Sequence, residues 1–466
     1  MFKVRLGFVP LHRAFFDEEW GAELKKRIVE SISKMPFVEL IYPDENLTEK
    51  GLVRNEAEAE KVIKLFKDND VEGILLGTVT FGDELSGARI VDEFRDHPIA
   101  IFGTKEPEPL PGGVRRSDSF CGTLSLASAL YRRGIPFIFL GEFWPEEEEF
   151  KKAVENFARV TAIVSRFVGA RVGLIGPRPN SFETAALSEA VMAKRFKQRV
   201  VHISLFEVVE LARSLKDDDP EVLNAIEDMK KMADISGVPK DALLRVAKLD
   251  VAMRRIVKEN RLSALGVRCW TELQQYYGAS PCFVMGRLTQ QGVMAACEVD
   301  IYGALTMLIQ YAATLGTSPP HFTDWTIRHP KDRNVFLSQH CGNAPPVLAY
   351  KPPVPKLTCH WLFSRIISAE GCWGTAESRL KPGPVTICRL VEYDGKFKMF
   401  ITTGETLDED LPFHGSVAWI KLKDLDKVYR TLVEEGFIHH ASVIYGDYVE
   451  PIAQACKLLG IETVIV

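Results

Sequence analysis

Val293-Met294-Ala295-Ala296-Cys297-Glu298-Val299-Asp300-Ile301-Tyr302-Gly303-Ala304-Leu305 is the stretch whose reading decides the fold class. Its first five residues are uncharged and apolar, long enough for a strand buried on both faces and too short for a helix. Asp300 is a helix-capping residue type. From Ile301 onward, Ala304, Leu305, Leu308, Ile309 and Ala312 recur at helical spacing as one apolar stripe, and Gly316 sits just past its end. A buried strand feeding a capped helix is the building unit of a parallel α/β layer. Glu298 then falls at the carboxyl end of a strand, where open α/β sheets gather their ligands.

The same alternation runs upstream. Short apolar runs at 4–10, 37–42, 71–78, 99–103 and 137–141 read as strands, and the stretches 18–35, 55–68, 123–133 and 145–168 between and after them read as helices. A second series begins with a strand at 171–176 and a helix near 182–196. Helical patterns then fill roughly 208–260, and strands follow at 264–269 and 293–297. Downstream of Gly316 the texture changes. Pro and Gly become frequent and helical periodicity fades. β-like runs appear at 335–339, 385–393, 397–403 and 416–422, and the chain finishes with 442–445, a helix near 449–459 and a strand at 463–466. The expectation is an α/β protein: two parallel-sheet, Rossmann-like domains over 1–169 and 170–316, then a mainly antiparallel β domain over 317–466. A length of 466 residues suits several cores rather than one.

Composition narrows the function classes. The chain is 46% hydrophobic and 26% charged, with a formal net charge of −5. A protein that tracks a phosphate backbone needs a basic surplus or stripe, and neither is visible, so no nucleic-acid partner is expected. The first residues lack the charged-then-apolar pattern of a signal peptide, and no apolar run is long enough for a membrane span. Nine cysteines are scattered without a Cys-x-x-Cys pair, which fits free thiols in a reducing cytoplasm.

Two acids and two histidines fall in settings that suit chemistry. Glu298 lies between the buried strand and the capped helix. Asp324 follows His321-Phe322-Thr323 at the end of a β-like run. His340 follows 335–339 and precedes Cys341-Gly342-Asn343, and His440 stands beside His439 just before an apolar run. Carboxylates and imidazoles together suit a hard-to-borderline divalent ion rather than a thiophilic one. The competing explanation for each is ordinary. Glu298 can be a dipole-favoured acid at a helix N-terminus, Asp324 a turn residue and His340 a partner of the Gly342 turn. His439 competes with His440, because one residue of slip in a strand turns a side chain to the opposite face.

The segments Cys269-Trp270, Phe283-Val284-Met285-Gly286-Arg287-Leu288 and Ala296 to Leu305 resemble the core of the L-fucose/L-arabinose isomerase superfamily. So do Phe322-Thr323-Asp324, Ser338-Gln339-His340-Cys341-Gly342-Asn343 and the late run from His439 to Asp447. The resemblance implies an intramolecular oxidoreductase that interconverts an aldose and its ketose through an enediol. Glu298 and Asp324 would be both metal ligands and proton-transfer groups, and His440 the late ligand. His340 would be a ligand as on the arabinose-isomerase side, whereas the fucose-isomerase side uses three. The implied cofactor is a divalent metal, Mn²⁺ first, with Co²⁺ or Mg²⁺ as alternatives. Arg13, Trp270, Asn343 and His439 become candidate substrate contacts, Arg13 across the interface of a homo-oligomer (trimer or hexamer). The implied partner is a monosaccharide. A related enzyme for a modified sugar and a non-catalytic sugar-binding relative are the other classes the residues admit.

Overall fold

The computed structural model describes residues 1–368, 370–410 and 412–466, which divide into two compact units. The first comprises Met1–Ser165 with Glu450–Leu459. Its sheet has five strands, β1 (Val4–Leu11), β2 (Val38–Ile41), β3 (Gly73–Thr78), β4 (Ile99–Thr104) and β5 (Ile138–Phe143), in the order β2-β1-β3-β4-β5. All four pairings are parallel. Val9, Leu76 and Ile101 from the strands pack with Phe66 and Val91 from the helices as a buried core. The helices Glu18–Ile32, Glu56–Asp68 and Glu84–Glu93 begin at Asp17, Asn55 and Asp83, each accepting a backbone N–H from its own first turn. The last of these is not among the sequence expectations. The helix expected over 123–133 starts earlier, at Ser119, so Gly122 lies inside its first turn.

The second unit, Arg166–Val449 with Gly460–Val466, carries the other two sheets. One is parallel throughout: β6 (Arg171–Ile175), β7 (Arg199–Ile203), β8 (Ala264–Val267) and β9 (Met294–Cys297), ordered β7-β6-β8-β9. Here the helix expected over 182–196 is interrupted. A 3-10 turn at Glu183–Ala185 and the helix Glu189–Phe196 are separated by extended backbone at Ala186 and Ser188. The expected helical stretch 208–260 is three helices, Leu205–Ser214, Pro220–Met232 and Lys240–Asn260. Pro220 starts the second of them, where its missing N–H costs nothing. Arg287, a member of the family-like segment, is fully buried and pairs with Asp250 at 3.0 Å. Its role is to hold two helices together.

The third sheet is mixed and mainly antiparallel. Its strands are β10 (His321–Arg328), β11 (Val335–His340), β12 (Ala349–Cys359), β13 (Trp373–Leu380), β14 (Gly383–Tyr393), β15 (Lys396–Thr406), β16 (Ser416–Leu422), β17 (His440–Tyr445) and β18 (Glu462–Ile465). A pairing between β15 and β16 closes β16-β11-β10-β17-β14-β15 into a ring of six antiparallel strands. Phe336, Ile387, Phe400, Ile420 and Val443 fill the interior. Closure removes the exposed edges that an open sheet would present. The helix Ile301–Ala313 lies against β14 and β17: Gln310 Nε2 donates to the carbonyls of Thr386 and Ser442, at 3.2 and 3.0 Å. The parallel sheet thus delivers its last helix onto the barrel wall, and the loop before that helix sits at the barrel's rim. Among the described residues, no helix is long and apolar enough to cross a membrane.

Candidate metal centre

Glu298 is aimed by unusual backbone. Both Glu298 (φ 57°) and Val299 (φ 60°) are left-handed, a conformation costly for a β-branched residue and kept only where the surroundings enforce it. Gly266 on β8 is what admits this turn. A Cβ there would lie 2.8 Å from the Val299 carbonyl carbon. The turn leaves the Glu298 carboxylate buried at the end of β9, facing the barrel.

The barrel supplies the rest. Asp324 lies in the middle of β10, not at the end of a run, and is directly opposite His440 on β17 and Gln339 on β11. Opposite residues of an antiparallel pair share a face, so the register settles which histidine accompanies Asp324. His440 Nε2 is 3.3 Å from Glu298 Oε2 and 3.7 Å from Asp324 Oδ1. His439 precedes the strand, is 39% exposed, and reaches Glu298 Oε2 at 3.6 Å from the open side. His340 ends β11, with Nε2 3.9 Å from Asp324 Oδ1. The ligand-type atoms fall into two overlapping groups, Glu298 with His439 and His440, and Asp324 with His340 and His440. All four residues expected as ligands are therefore brought together.

Two members of the cluster were not anticipated in this role. Asp300 does cap the helix, accepting the Gly303 N–H at 2.9 Å, but the same carboxylate also accepts from His440 Nδ1 at 2.8 Å. It pairs as well with Arg389, whose Nη2 donates at 3.0 Å and whose Nη1 contacts the other oxygen. All three side chains are about 1% exposed. Gly303 makes room for the cluster, since a Cβ there would lie 2.6 Å from Asp300 Oδ2. Arg389 had a detectable signal: one arginine inside the apolar run Ile387-Cys388-Arg389-Leu390-Val391. A charge buried in a strand needs a partner.

The electrostatics follow from this wiring. Burial alone would raise the Glu298 carboxyl, but the neighbouring His439 and His440 rings override it and hold it at about 2. Burial opposes the Asp300 charge too, and Arg389 and His440 overcome it, so this carboxyl lies well below the usual range. Burial would neutralise His440, yet Asp300 and Glu298 raise it to about 10, so with no metal bound it is an imidazolium. Among the described residues, three buried atoms nevertheless lack hydrogen-bond partners and face one another: Glu298 Oε2, Asp324 Oδ1 and His440 Nε2. Buried polar atoms are ordinarily satisfied, and a divalent cation fits this donor set. His340 is different. Its Nδ1 accepts the Cys341 N–H at 2.9 Å, so the neutral ring carries its proton on Nε2.

The other candidates are placed as follows. Trp270 meets Phe182 edge-on at 5.8 Å and Phe363 at 5.1 Å, and Phe182 stacks on His439 at 5.9 Å, making one aromatic wall. Asn343 donates to Cys297 Sγ at 3.7 Å and keeps its Oδ1 unpaired. Arg13, in the first unit, donates to the Gly82 carbonyl at 2.8 Å and pairs with Glu84 at 2.7 Å. Burial pushes the Cys341 thiol well up, in keeping with a packed rather than a nucleophilic thiol. His321 is fully buried in β10 with neither ring nitrogen hydrogen-bonded among the described residues, and burial lowers it to about 3.

Comparisons with known proteins bear on this arrangement. The family model for the fucose/sulfoquinovose isomerase N-terminal domain matches residues 7–168, and that for the L-fucose isomerase C-terminal domain matches residues 339–466. The chain is similar to a sulfoquinovose isomerase from Alkalicoccus urumqiensis, 26% identical over 395 residues, covering 84% of this chain and 86% of that protein. It is similar to another from Priestia megaterium, 24% identical over 459 residues, covering 98% of each.

Proposed function

The chain belongs to the fucose isomerase-like family, and from that premise we propose that it is a metal-dependent enzyme interconverting an aldose and its ketose. The observation that carries the proposal is the convergence of Glu298 Oε2, Asp324 Oδ1 and His440 Nε2, buried and, among the described residues, without hydrogen-bond partners. These three residues would hold the ion, Mn²⁺ first, with Co²⁺ or Mg²⁺ as alternatives. When bound, such an ion supplies Lewis-acid polarisation of the sugar carbonyl and its neighbouring hydroxyl. Glu298 and Asp324 carry the proton between C1 and C2 through an enediol, one of them taking it and returning it to the adjacent carbon. Asp300, backed by Arg389, fixes the tautomer and direction of the His440 ring. The Trp270–Phe182–His439 wall offers a face to the sugar's C–H bonds, and Asn343 Oδ1 accepts from a hydroxyl. A non-catalytic sugar-binding relative would need neither acid, and both are present.

The substrate follows from the relatives. Proteins named sulfoquinovose isomerases favour the modified-sugar form of the proposal, an aldohexose with a sulfonate at C6. We extend the proposal to functional segments 1–169, 170–316 and 317–466, to a cytoplasmic setting, and to a homo-oligomer (trimer or hexamer) in which Arg13 contacts sugar in a neighbouring subunit. The test is to strip metal with a chelator, restore Mn²⁺, and assay sulfoquinovose beside neutral pentoses, hexoses and 6-deoxyhexoses. Metal-restored turnover of an aldose to its ketose is expected. Absence of turnover on every sugar would refute the proposal.

Two further outcomes separate the histidines. Ligation through His340 Nε2 would put the ring proton on Nδ1, against the Cys341 N–H that now donates there. We therefore assign His340 a supporting rather than a ligating place beside Asp324. His440→Gln is expected to weaken Mn²⁺ binding by more than about 100-fold, whereas His340→Gln weakens it by about 10–100-fold, as removal of a supporting partner does. Equilibrium titration with Mn²⁺ measures both.

Because His440 is held as an imidazolium up to about 10, Mn²⁺ must displace its Nε2 proton. Binding near pH 8 is expected to release about one proton. Affinity should rise with pH towards about 10 and level off above it. Calorimetry in buffers of different ionisation enthalpy reads the proton count, and a count of zero would contradict His440 as a ligand.

A further inference from the structure

The carboxyl end of the parallel sheet in the second unit carries a cation that the chemistry above does not use. Arg178 follows β6 in Gly176-Pro177-Arg178-Pro179. It is half-buried, and its one side-chain bond among the described residues is from Nη1 to the Phe182 carbonyl, at 2.8 Å. Among the described residues no carboxylate pairs with it. Its neighbour Arg268 is already neutralised, with Nε 2.8 Å and Nη2 2.6 Å from Glu272 Oε1. The Arg268 Nη1 instead braces the loop, donating to the carbonyls of Pro177 and Arg178 at 3.1 Å each. Prolines on both sides further restrict the backbone at Arg178. A half-buried guanidinium on a braced loop without a counter-charge is held ready for an anion.

Its position relative to the acids fits one end of a six-carbon sugar. β6, β8 and β9 are adjacent in that order, and their carboxyl ends lead to Arg178, Trp270 and Glu298 respectively. Neighbouring strands are about 4.8 Å apart, so Arg178 and Glu298 leave strands separated by about 10 Å. An aldose whose C1 and C2 lie at the carboxylates extends its C6 about 6 to 7 Å further on, given C–C bonds of about 1.5 Å. The wall between the two ends is continuous: Arg178 binds the carbonyl of Phe182, whose ring stacks on His439, which is 3.6 Å from Glu298.

We propose that Arg178 is the specificity anchor for the substrate's anionic C6 substituent, binding a sulfonate through its planar fork of N–H donors. This rests on the isomerase assignment, because it takes C1 and C2 to lie at Glu298 and Asp324. Calorimetric titration of sulfoquinovose into the Mn²⁺-loaded protein tests it. Arg178→Gln is expected to weaken binding at least tenfold, and Arg178→Lys to restore part of the loss. The loss for sulfoquinovose should exceed that for uncharged 6-deoxyglucose at least tenfold, with the unfolding temperature reporting that the variants fold. Equal losses for the two sugars, wild-type affinity in Arg178→Gln, or no binding of sulfoquinovose by the wild type would overturn the anchor. The isomerase assignment fails separately: a wild type that binds sulfoquinovose through Arg178 yet turns over no aldose would refute the activity and leave the anchor standing.

Discussion

Glu298→Gln is expected to lower kcat/KM by about 10³-fold, within the range of about 10²–10⁴ that a positioned proton-transfer group supplies. The substitution keeps the shape of the side chain and changes what it can do. An amide cannot take a proton from carbon, and it brings no negative charge to a site where the unmodified carboxyl is held ionised down to about 2. Mn²⁺ affinity should fall with activity, because the same carboxylate serves both tasks. Steady-state kinetics with metal content measured on the same preparation separates the two losses. Activity within tenfold of wild type at full metal loading would remove Glu298 from the chemistry.

The second large effect belongs to a residue that contacts no substrate. Asp300→Asn leaves Arg389 buried without a counter-charge and deprives His440 Nδ1 of its acceptor. Removing one partner of a buried pair costs about 3–5 kcal/mol, and losing the support behind a ligand lowers metal affinity by about 10–100-fold. Urea unfolding and Mn²⁺ titration measure the two consequences. The double variant Asp300→Asn/Arg389→Met should regain much of the stability, since no lone charge is left behind, but not the affinity, since His440 is still unbraced. The pH dependence has a defined sign. The folded carboxyl of Asp300 lies below its unfolded value of about 3.9, so its contribution is fully present above that value and is lost as the pH falls below it.

How much of this was legible depended on whether the cause was local. The stretch from Val293 to Ala313 displays strand, acid, cap and helix in order, because each is dictated by neighbours within a turn or two. The antiparallel character of the last domain was also legible in its short alternating runs. Closure into a ring was not, because it depends on β15 and β16 meeting across a loop. The break at Ala186–Ser188 was missed because the apolar spacing runs on through it. At the site, the two acids stood out through their setting and the family-like segments. The choice between His439 and His440 could not be made locally, since it rests on the pairing of Asp324 with a strand 116 residues away in sequence. Asp300 was legible only as a cap: nothing adjacent reveals that Arg389 and His440 converge on the same carboxylate.

The central claim is that Glu298, Asp324 and His440 hold one divalent ion at which the sugar reacts. It is tested most directly by the anomalous difference map of crystals grown with Mn²⁺. A single strong peak bonded to Glu298 Oε2, Asp324 Oδ1 and His440 Nε2, with His340 Nε2 outside bonding distance, is the predicted result. A map with no peak among these atoms at full Mn²⁺ occupancy elsewhere, or a peak bonded to His439 in place of His440, would contradict it.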